Sequence, residues 1–499
     1  MNDIIISYSL KTSVITLCSI IVLAISGCNK NSDSPISVTT PVTGDEYTEY
    51  NANRLFIRNG LQLHCWVSSE LQYKVNVNDW DMAGFGGPTF FRSPLWNPEL
   101  MAEHPFSQWS LAKAPYAVNI DRGPDENERE NGFLSEDQMA RIEDLTTICF
   151  GDEEPYSNEL MAYLKGWFEV THEHYPNVMV HNNQWGSQWS ETDLRMYVLI
   201  TKPDIISFDS YLFNSSRANS YRGAKDMAQF LKKYRDVALS GTDGLGEQPI
   251  GFGQYIQGFR NDAEYDMTES QLRLYYYMTW AFGGKWLNWF RYLQGNDDGN
   301  GGTIPNSWCM LLNSAVPGNP SEALYWTSQC NLESQNLSDY LIRLQSTDVR
   351  LVPGDWGCND GVPNNVPLWS EDADPYISAI NGELLGIENH GKAGDIYVGY
   401  YKVIPEEEQG DPGFFEYQDA FYFMVVNAYT SQLTKSASEI QQKITVHLLA
   451  NVGLENGIKR INRETGTVET IDLVPGDNNN DSFEIILPGG TGDLFYITP

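Results

Sequence analysis

Eight short runs of strand character recur between residues 61 and 293, each separated from the next by helical sequence. They are Leu61–Ser68, Met82–Phe91, Tyr116–Gly123, Thr146–Glu154, Asn177–Gly186, Asp204–Phe213, Pro249–Phe259 and Lys285–Leu293. Strands that alternate with helices build parallel βαβ units, and eight such units predict an α/β fold, the (β/α)8 TIM barrel. In that fold chemistry collects at the C-terminal ends of the strands, so acids there define where to look.

Behind the eighth run the pattern changes. Leu337, Tyr340, Leu341 and Leu344 recur at helical spacing, which predicts the eighth barrel helix over Leu332–Ser346. From about residue 350 the chain reads as strands: Tyr376–Ile380, Glu383–Glu388, Ile396–Val403, Ala420–Val426, Gln442–Leu449, Ile458–Ile461, Val468–Leu473, Phe483–Leu487 and Leu494–Ile497. Asn462–Gly466 has the composition of a hairpin turn between two of them. Many short strands with turn residues between them predict a small antiparallel β-sandwich over 350–499, after a barrel over 56–349. A chain of 499 residues is long enough to bury both cores.

The first 27 residues read as a signal peptide. Lys11 precedes an apolar stretch, Val14–Ile25, too short to span a bilayer. Ile25-Ser26-Gly27-Cys28 resembles the lipobox of bacterial lipoproteins, which implies cleavage before Cys28 and lipid on its thiol. An ordinary secretory peptide cut nearby is the alternative. Residues 28–55 follow as a tether, rich in Ser, Thr, Asp, Asn and Pro through Tyr47. The expected location is the cell envelope, with lipidated Cys28 as the membrane contact. A net charge of −34 argues against nucleic acid and anionic lipid as partners.

Seven cysteines are present, and none has zinc-ligand spacing. Cys18 falls in the signal and Cys28 at the anchor. Cys65 and Cys149 sit inside strands as expected core fillers, leaving Cys309, Cys330 and Cys358 to provide one disulfide. Asp297-Asp298-Gly299-Asn300-Gly301 is oxygen-rich, but it lacks the spacing and terminal Glu of a calcium loop and reads as a turn. No cofactor or metal is expected.

Strand parity selects the side chains that face the barrel axis. In the third run Val118 and Ile120 take the helix side, leaving Ala117, Asn119 and Asp121 inside. In the fourth, Ile148 and Phe150 point out, and Thr147, Cys149, Gly151 and Glu153 point in. The sixth gives Ser207 and Asp209 inside, the first Gln62, His64 and Trp66, and the fifth His181 and Asn183. An interior that turns polar toward the strand ends suits a pocket rather than a closed apolar core.

Asp121, Glu153 and Asp209 are therefore expected at the mouth, with Glu154 as the substitute for Glu153 if a bulge shifts the parity. Two carboxyl groups at one cavity are what glycoside hydrolysis needs, one protonated and one ionised. Crowded acids push each other's pKa values apart, which keeps one protonated near neutral pH. The structural alternatives are specific. Asp152 or Glu154 can cap the following helix, and Arg122 or Arg92 can pair with Asp121. Sugars also need ring faces and amides, and His181–Trp189 supplies both in nine residues. His64, Trp66, Asp152, His181, Asn183, Trp185, Tyr211, Gln254, Tyr255, Trp286 and Asn288 complete the expected substrate contacts.

On these residues, 60–350 resembles the catalytic barrel of retaining, clan-A-type glycoside hydrolases, and the tail resembles the small β-sandwich that often follows it. The chain is similar in particular to barrel lipoproteins of polysaccharide-degrading Gram-negative bacteria. The resemblance implies an acid/base Glu after Asn at the end of strand four, where this sequence has Asp152-Glu153. It also implies a nucleophilic Glu ending strand seven, where Pro249–Phe259 carries no carboxylate and offers Gln254 and Gln257. The second carboxylate is then expected at Asp209, with Asp121 in reserve. The alternative is a barrel that binds glycan without cleaving it.

Overall fold

The computed structural model describes residues 51–67, 76–91, 101–102, 106–113, 120–213, 222–259, 266–292, 310–313, 318–355, 362–386, 392–449, 457–476 and 480–498. Cys28, the signal segment, Cys309, Cys358 and the 297–301 turn lie outside them. Among the described residues no helix is long and apolar enough to cross a membrane.

The eight strands close into one parallel barrel in sequence order: β1 (Gln62–Val67), β2 (Gly87–Phe91), β3 (Trp109–Ala112), β4 (Leu145–Asp152), β5 (Met179–Trp185), β6 (Ile205–Asp209), β7 (Gly251–Gln257) and β8 (Trp286–Phe290). The described helices are α1 (Ala52–Asn59), α2 (Val77–Ala83), α3 (Glu126–Asn131), α4 (Glu136–Met139), α5 (Asn158–His174), α6 (Glu191–Thr201), α7 (Arg222–Ser240), α8 (Glu269–Ala281) and α9 (Glu322–Leu341). Local chemistry sets their starts. Ser190 and Asp193 form a capping box on α6, and Ser157 caps α5 through the Leu160 amide. Each cap is worth about 1 kcal/mol.

Two strands differ from the sequence expectation. The third is Trp109–Ala112, not Tyr116–Gly123, and residues 120–123 are irregular. Four residues carry too little alternation to compete with the longer Tyr116–Gly123 run that follows in the sequence. What fixes them is tertiary: Ser110 reaches the His64 ring inside, at 2.8 Å, and the Trp109 indole donates to the Arg141 carbonyl at 2.9 Å. The second strand starts at Gly87, because Met82 and Ala83 belong to α2, which Gly84 ends in the left-handed region at φ 68°. A Cβ at Gly87 would stand 1.9 Å from the Gln108 carbonyl oxygen, so β2 and the entry to β3 approach more closely than any side chain permits.

The C-terminal part is two packed antiparallel sheets. One has six strands in the order β15-β14-β17-β12-β11-β9, and the other three in the order β10-β13-β16. The first of these, β9 (Leu344–Val352), begins where the sequence suggested the last helix still ran. The rest are β10 (Ile377–Leu384), β11 (Ile396–Val403), β12 (Phe421–Asn427), β13 (Gln442–Leu448), β14 (Ile458–Ile461), β15 (Val468–Ile471), β16 (Ser482–Leu487) and β17 (Gly492–Ile497). Period-two alternation sends Val398 and Tyr400 of β11 into the core between the sheets, and Tyr397 and Tyr401 onto the barrel.

The barrel partner of that sheet is α8, whose residues are almost all buried. The Tyr401 hydroxyl donates to the Trp280 carbonyl at 2.8 Å, and a Cβ at Gly399 would sit 1.9 Å from the Ala281 oxygen. Arg273 of α8 pairs with Glu269 of its own helix and with Glu333 of α9, each at 2.8 Å, and Glu333 also faces Arg463, from the turn between β14 and β15, at 3.8 Å. The sandwich thereby braces α8. In turn, Tyr275 of α8 donates to the Ser210 carbonyl at 3.0 Å and holds the turn that leaves β6.

Candidate active-site cleft

At the C-terminal mouth of the barrel is an open cleft with about 490 Å³ of empty space, lined by Trp66, Asp152, Glu153, Asn183, Asp209, Tyr211, Tyr255 and Phe290. Strand ends β1, β4, β5, β6, β7 and β8 or the turns just beyond them supply these side chains.

A bulge in β4 builds the acidic wall. The pairing with β5 runs Cys149 to His181 and then Asp152 to Asn183, so β4 carries one residue more than its partner. Gly151 absorbs the extra residue at φ 84°, and Glu153 follows at φ 63°, a costly conformation for a side chain other than Gly. From behind, the Asn182 amide donates to the Phe150 carbonyl and to Glu154 Oε2. Asp152 and Glu153 both reach the cleft as a result.

Asn183 ties the two sides of the mouth together. Its Nδ2 donates to Asp152 Oδ1 at 3.0 Å and to Asp209 Oδ1 at 2.9 Å. An amide nitrogen presents its two hydrogens about 120° apart, which sets the two carboxyl oxygens roughly 5 Å from each other. On its other side Asp152 faces the Lys113 ammonium at 3.3 Å. Asp209 is 7% exposed, and its pKa is pushed up to about 8, by burial first and then by the charges of Glu153 and Asp152, against the opposing Asn183 hydrogen bond. Glu153 stands exposed at the mouth, and its pKa is raised by the desolvating cleft walls and then by Asp152.

Aromatic rings complete the cavity. Trp66 meets Tyr255 edge-on at 5.8 Å and Phe290 at 5.2 Å, while Tyr211 stacks over Phe290 at 6.0 Å. Neither Asp152 nor Glu154 caps the helix after β4; Ser157 does so.

Several expected residues lie elsewhere. Asp121 is exposed in irregular chain beyond the true third strand and does not face the axis; the neighbouring Arg122 pairs with Glu128 at 2.6 Å. Gln254 points away from the cleft, donating to Thr279 of α8 at 2.7 Å, and Gln257 binds the Phe213 carbonyl at 2.9 Å. The inner face of β7 is instead Gly251, Gly253 and Tyr255. Glu154 is buried behind the bulge, with its pKa raised by burial. Trp185 is 51% exposed at the end of β5, beside Asp209 in register but outside the cleft lining.

His64, His181, Trp286 and Asn288 face the axis below the cleft floor, fully enclosed. Burial lowers the pKa of His64 to about 4 and of His181 to about 3, so both rings are neutral near pH 7. Cys330 is a free buried thiol, which removes it from the expected disulfide.

Lys113 and Phe290 are the site residues the sequence reading missed. Lys113 was hidden by the misplaced third strand; the inward Ser110 and Ala112 against outward Leu111 were the available signal. Phe290 carries no polar mark that separates it from a core residue. Among the described residues no group of three or more His, Cys, Asp or Glu is arranged to hold a metal ion.

No protein-family profile and no curated protein matches the chain. Among solved structures it is similar to a β-L-arabinopyranosidase from Geobacillus stearothermophilus, with 8% identity over 89% of this chain and 98% of that one, at a TM-score of 0.43. It is similar to a β-galactosidase from Marinomonas ef1, with 12% identity over 57% and 62% of the two chains, at a TM-score of 0.38. It is also similar to an endo-β-1,4-mannanase from Thermotoga petrophila, with 9% identity over 74% and 95%, at a TM-score of 0.34.

Proposed function

We propose that the chain is a glycoside hydrolase that acts with retention of configuration, using Asp209 as general acid/base and Asp152 as nucleophile. The observation that carries this reading is the shared Asn183 amide, which holds the facing oxygens of the two carboxyl groups roughly 5 Å apart, a close approach that suits the carboxyl separation of about 5–5.5 Å in retaining enzymes. Inverting enzymes leave about 6.5–9.5 Å for a water.

The roles divide by environment. Asp209, with its pKa near 8, keeps its proton at neutral pH and gives it to the departing glycosidic oxygen. Asp152, ion-paired with Lys113, presents its carboxylate to the anomeric carbon. The glycosyl ester on Asp152 is then opened by water, from which Asp209 takes a proton, restoring both groups. Trp66, Tyr211, Tyr255 and Phe290 give the apolar C–H faces of a sugar a place to stack. Glu153, to which the sequence gives the acid/base role, supplies negative charge at the mouth that raises Asp209 and favours the cationic transition state.

Export, lipid on Cys28 and residence in the cell envelope belong to the same proposal, supported by Val14–Cys28. The test is turnover of a panel of aryl glycosides, with the anomer first formed read by proton NMR. Retention with loss of turnover in Asp152→Asn supports the reading. Inversion contradicts the mechanism, and glycan binding without turnover leaves a binding protein.

A further inference from the structure

The barrel interior beneath the cleft contains polar groups that the chemistry above does not use. Two of them, His181 and Ser207, join Asn183 in a chain that ends on the two aspartates. His181 Nδ1 lies 2.9 Å from Ser207 Oγ, Ser207 Oγ donates to Asn183 Oδ1 at 3.1 Å, and Asn183 Nδ2 donates to both carboxyl groups. All three residues are at least 98% buried.

A count of protons orients the whole chain. A serine hydroxyl has one proton, and Ser207 gives it to Asn183. It must then accept from His181, which fixes that ring as the tautomer with its proton on Nδ1. The ring packs edge-on to Trp286 at 5.1 Å, and no charged group adds to the burial that keeps it neutral. With Oδ1 of Asn183 occupied, both N–H groups are committed to the aspartates. A flipped amide would set its oxygen against the Asp152 carboxylate and would require Ser207 to accept from the NH2 group and turn its own proton onto His181, which the Nδ1–H tautomer blocks. Leaving such buried groups unpaired is what the packed interior disfavours.

We propose that Ser207 and His181 are positioning residues, which lock the Asn183 amide with its nitrogen toward the cleft and so set the spacing of Asp152 and Asp209. This inference rests on the hydrolase reading for its functional meaning, but not for its test. The groups that act on Asp209 are Glu153 and Asp152 after and on β4, Tyr211 in its own turn, Tyr255 on β7 and Tyr234 on α7, with Lys113 beside Asp152. Against these, the Asn183 bond favours the ionised form of Asp209, so its loss moves the Asp209 midpoint upward.

The test is carboxyl 13C NMR titration of aspartate-labelled protein, which needs no substrate. Ser207→Ala is expected to raise the Asp209 midpoint by about half a pH unit or more, and Ser207→Thr to return it toward the parent value. His181→Leu removes the upstream donor and is expected to shift the midpoint in the same direction, so it replaces Ser207→Ala if that variant does not fold. In kinetics kcat falls while KM changes little, and the basic limb of the pH profile moves up with the midpoint. An Asp209 midpoint unchanged in both Ser207→Ala and His181→Leu overturns the proposal. A shifted midpoint in a protein that turns over no glycoside upholds the relay and sinks the hydrolase reading. An unshifted midpoint in an active enzyme does the reverse.

Discussion

Asp152 and Asp209 share one amide. The Asn183 nitrogen donates to both, at 3.0 Å and 2.9 Å, and the two acids are otherwise unlike: Asp152 faces Lys113, and Asp209 is buried among aromatic rings. The proposed division of labour between Asp209 as proton donor and Asp152 as nucleophile rests on that difference in surroundings.

Asp209→Asn is expected to abolish cleavage of glycosides with poor leaving groups, by a factor on the order of 10²–10⁴. Activated dinitrophenyl glycosides need no proton to depart, so their first, glycosyl-transfer step is expected to be largely spared. Steady-state rates on the two substrate classes check this, and an equal loss on both removes Asp209 as the acid.

The same carboxyl weakens the fold at high pH. Its folded pKa of about 8 lies above the 3.8 of an unperturbed Asp, so the folded state holds the proton longer than the unfolded chain does. Stability from this group is full below about pH 4 and is lost as pH rises toward 8. Asp209→Asn is therefore expected to be the more stable protein at pH 8, by on the order of a few kcal/mol, with a smaller gap near pH 4. Urea denaturation at the two pH values measures it.

Gly151→Ala is expected to cost roughly 1–3 kcal/mol, and most of the activity with it. The backbone there has φ 84°, and the added Cβ would stand 2.4 Å from Glu154 Oε2 and 2.5 Å from Asn182 Nδ2. Denaturation midpoints read the stability. An active variant of parent stability would show that the bulge does not place Asp152 and Glu153.

Gln254→Glu tests the departure from the resembling family. The side chain faces Thr279 and the Tyr275 carbonyl of α8, not the cleft. A carboxylate there is buried against a carbonyl oxygen, so the variant is expected to lose stability and gain no activity. A rise in turnover would place Gln254 in the site after all.

Much of this was legible in the sequence, because hydrophobic periodicity reports the side on which a strand is buried. Outward Ile206 and Phe208 correctly sent Asp209 inward, and outward Ile148 and Phe150 placed Cys149 on the axis. Parity fails where the backbone stops being regular. The bulge at Gly151 puts Asp152 in the cleft as well as Glu153, and no periodicity encodes an inserted residue. The four-residue β3 is held by Ser110 and Trp109 through contacts with His64 and Arg141, which are distant in sequence. Losing β3 hid Lys113 and promoted Asp121. The Asn183 bridge was illegible for a related reason, since the fifth-strand parity gave its direction but not its two partners.

The most direct test is to trap the glycosyl enzyme with a panel of dinitrophenyl 2-deoxy-2-fluoroglycosides and locate the label by peptide mass spectrometry. The account predicts one sugar esterified to Asp152, formed in the parent protein and absent in Asp152→Asn. A label on Glu153 or Asp209, or hydrolysis with inversion and no trapped ester, would contradict it.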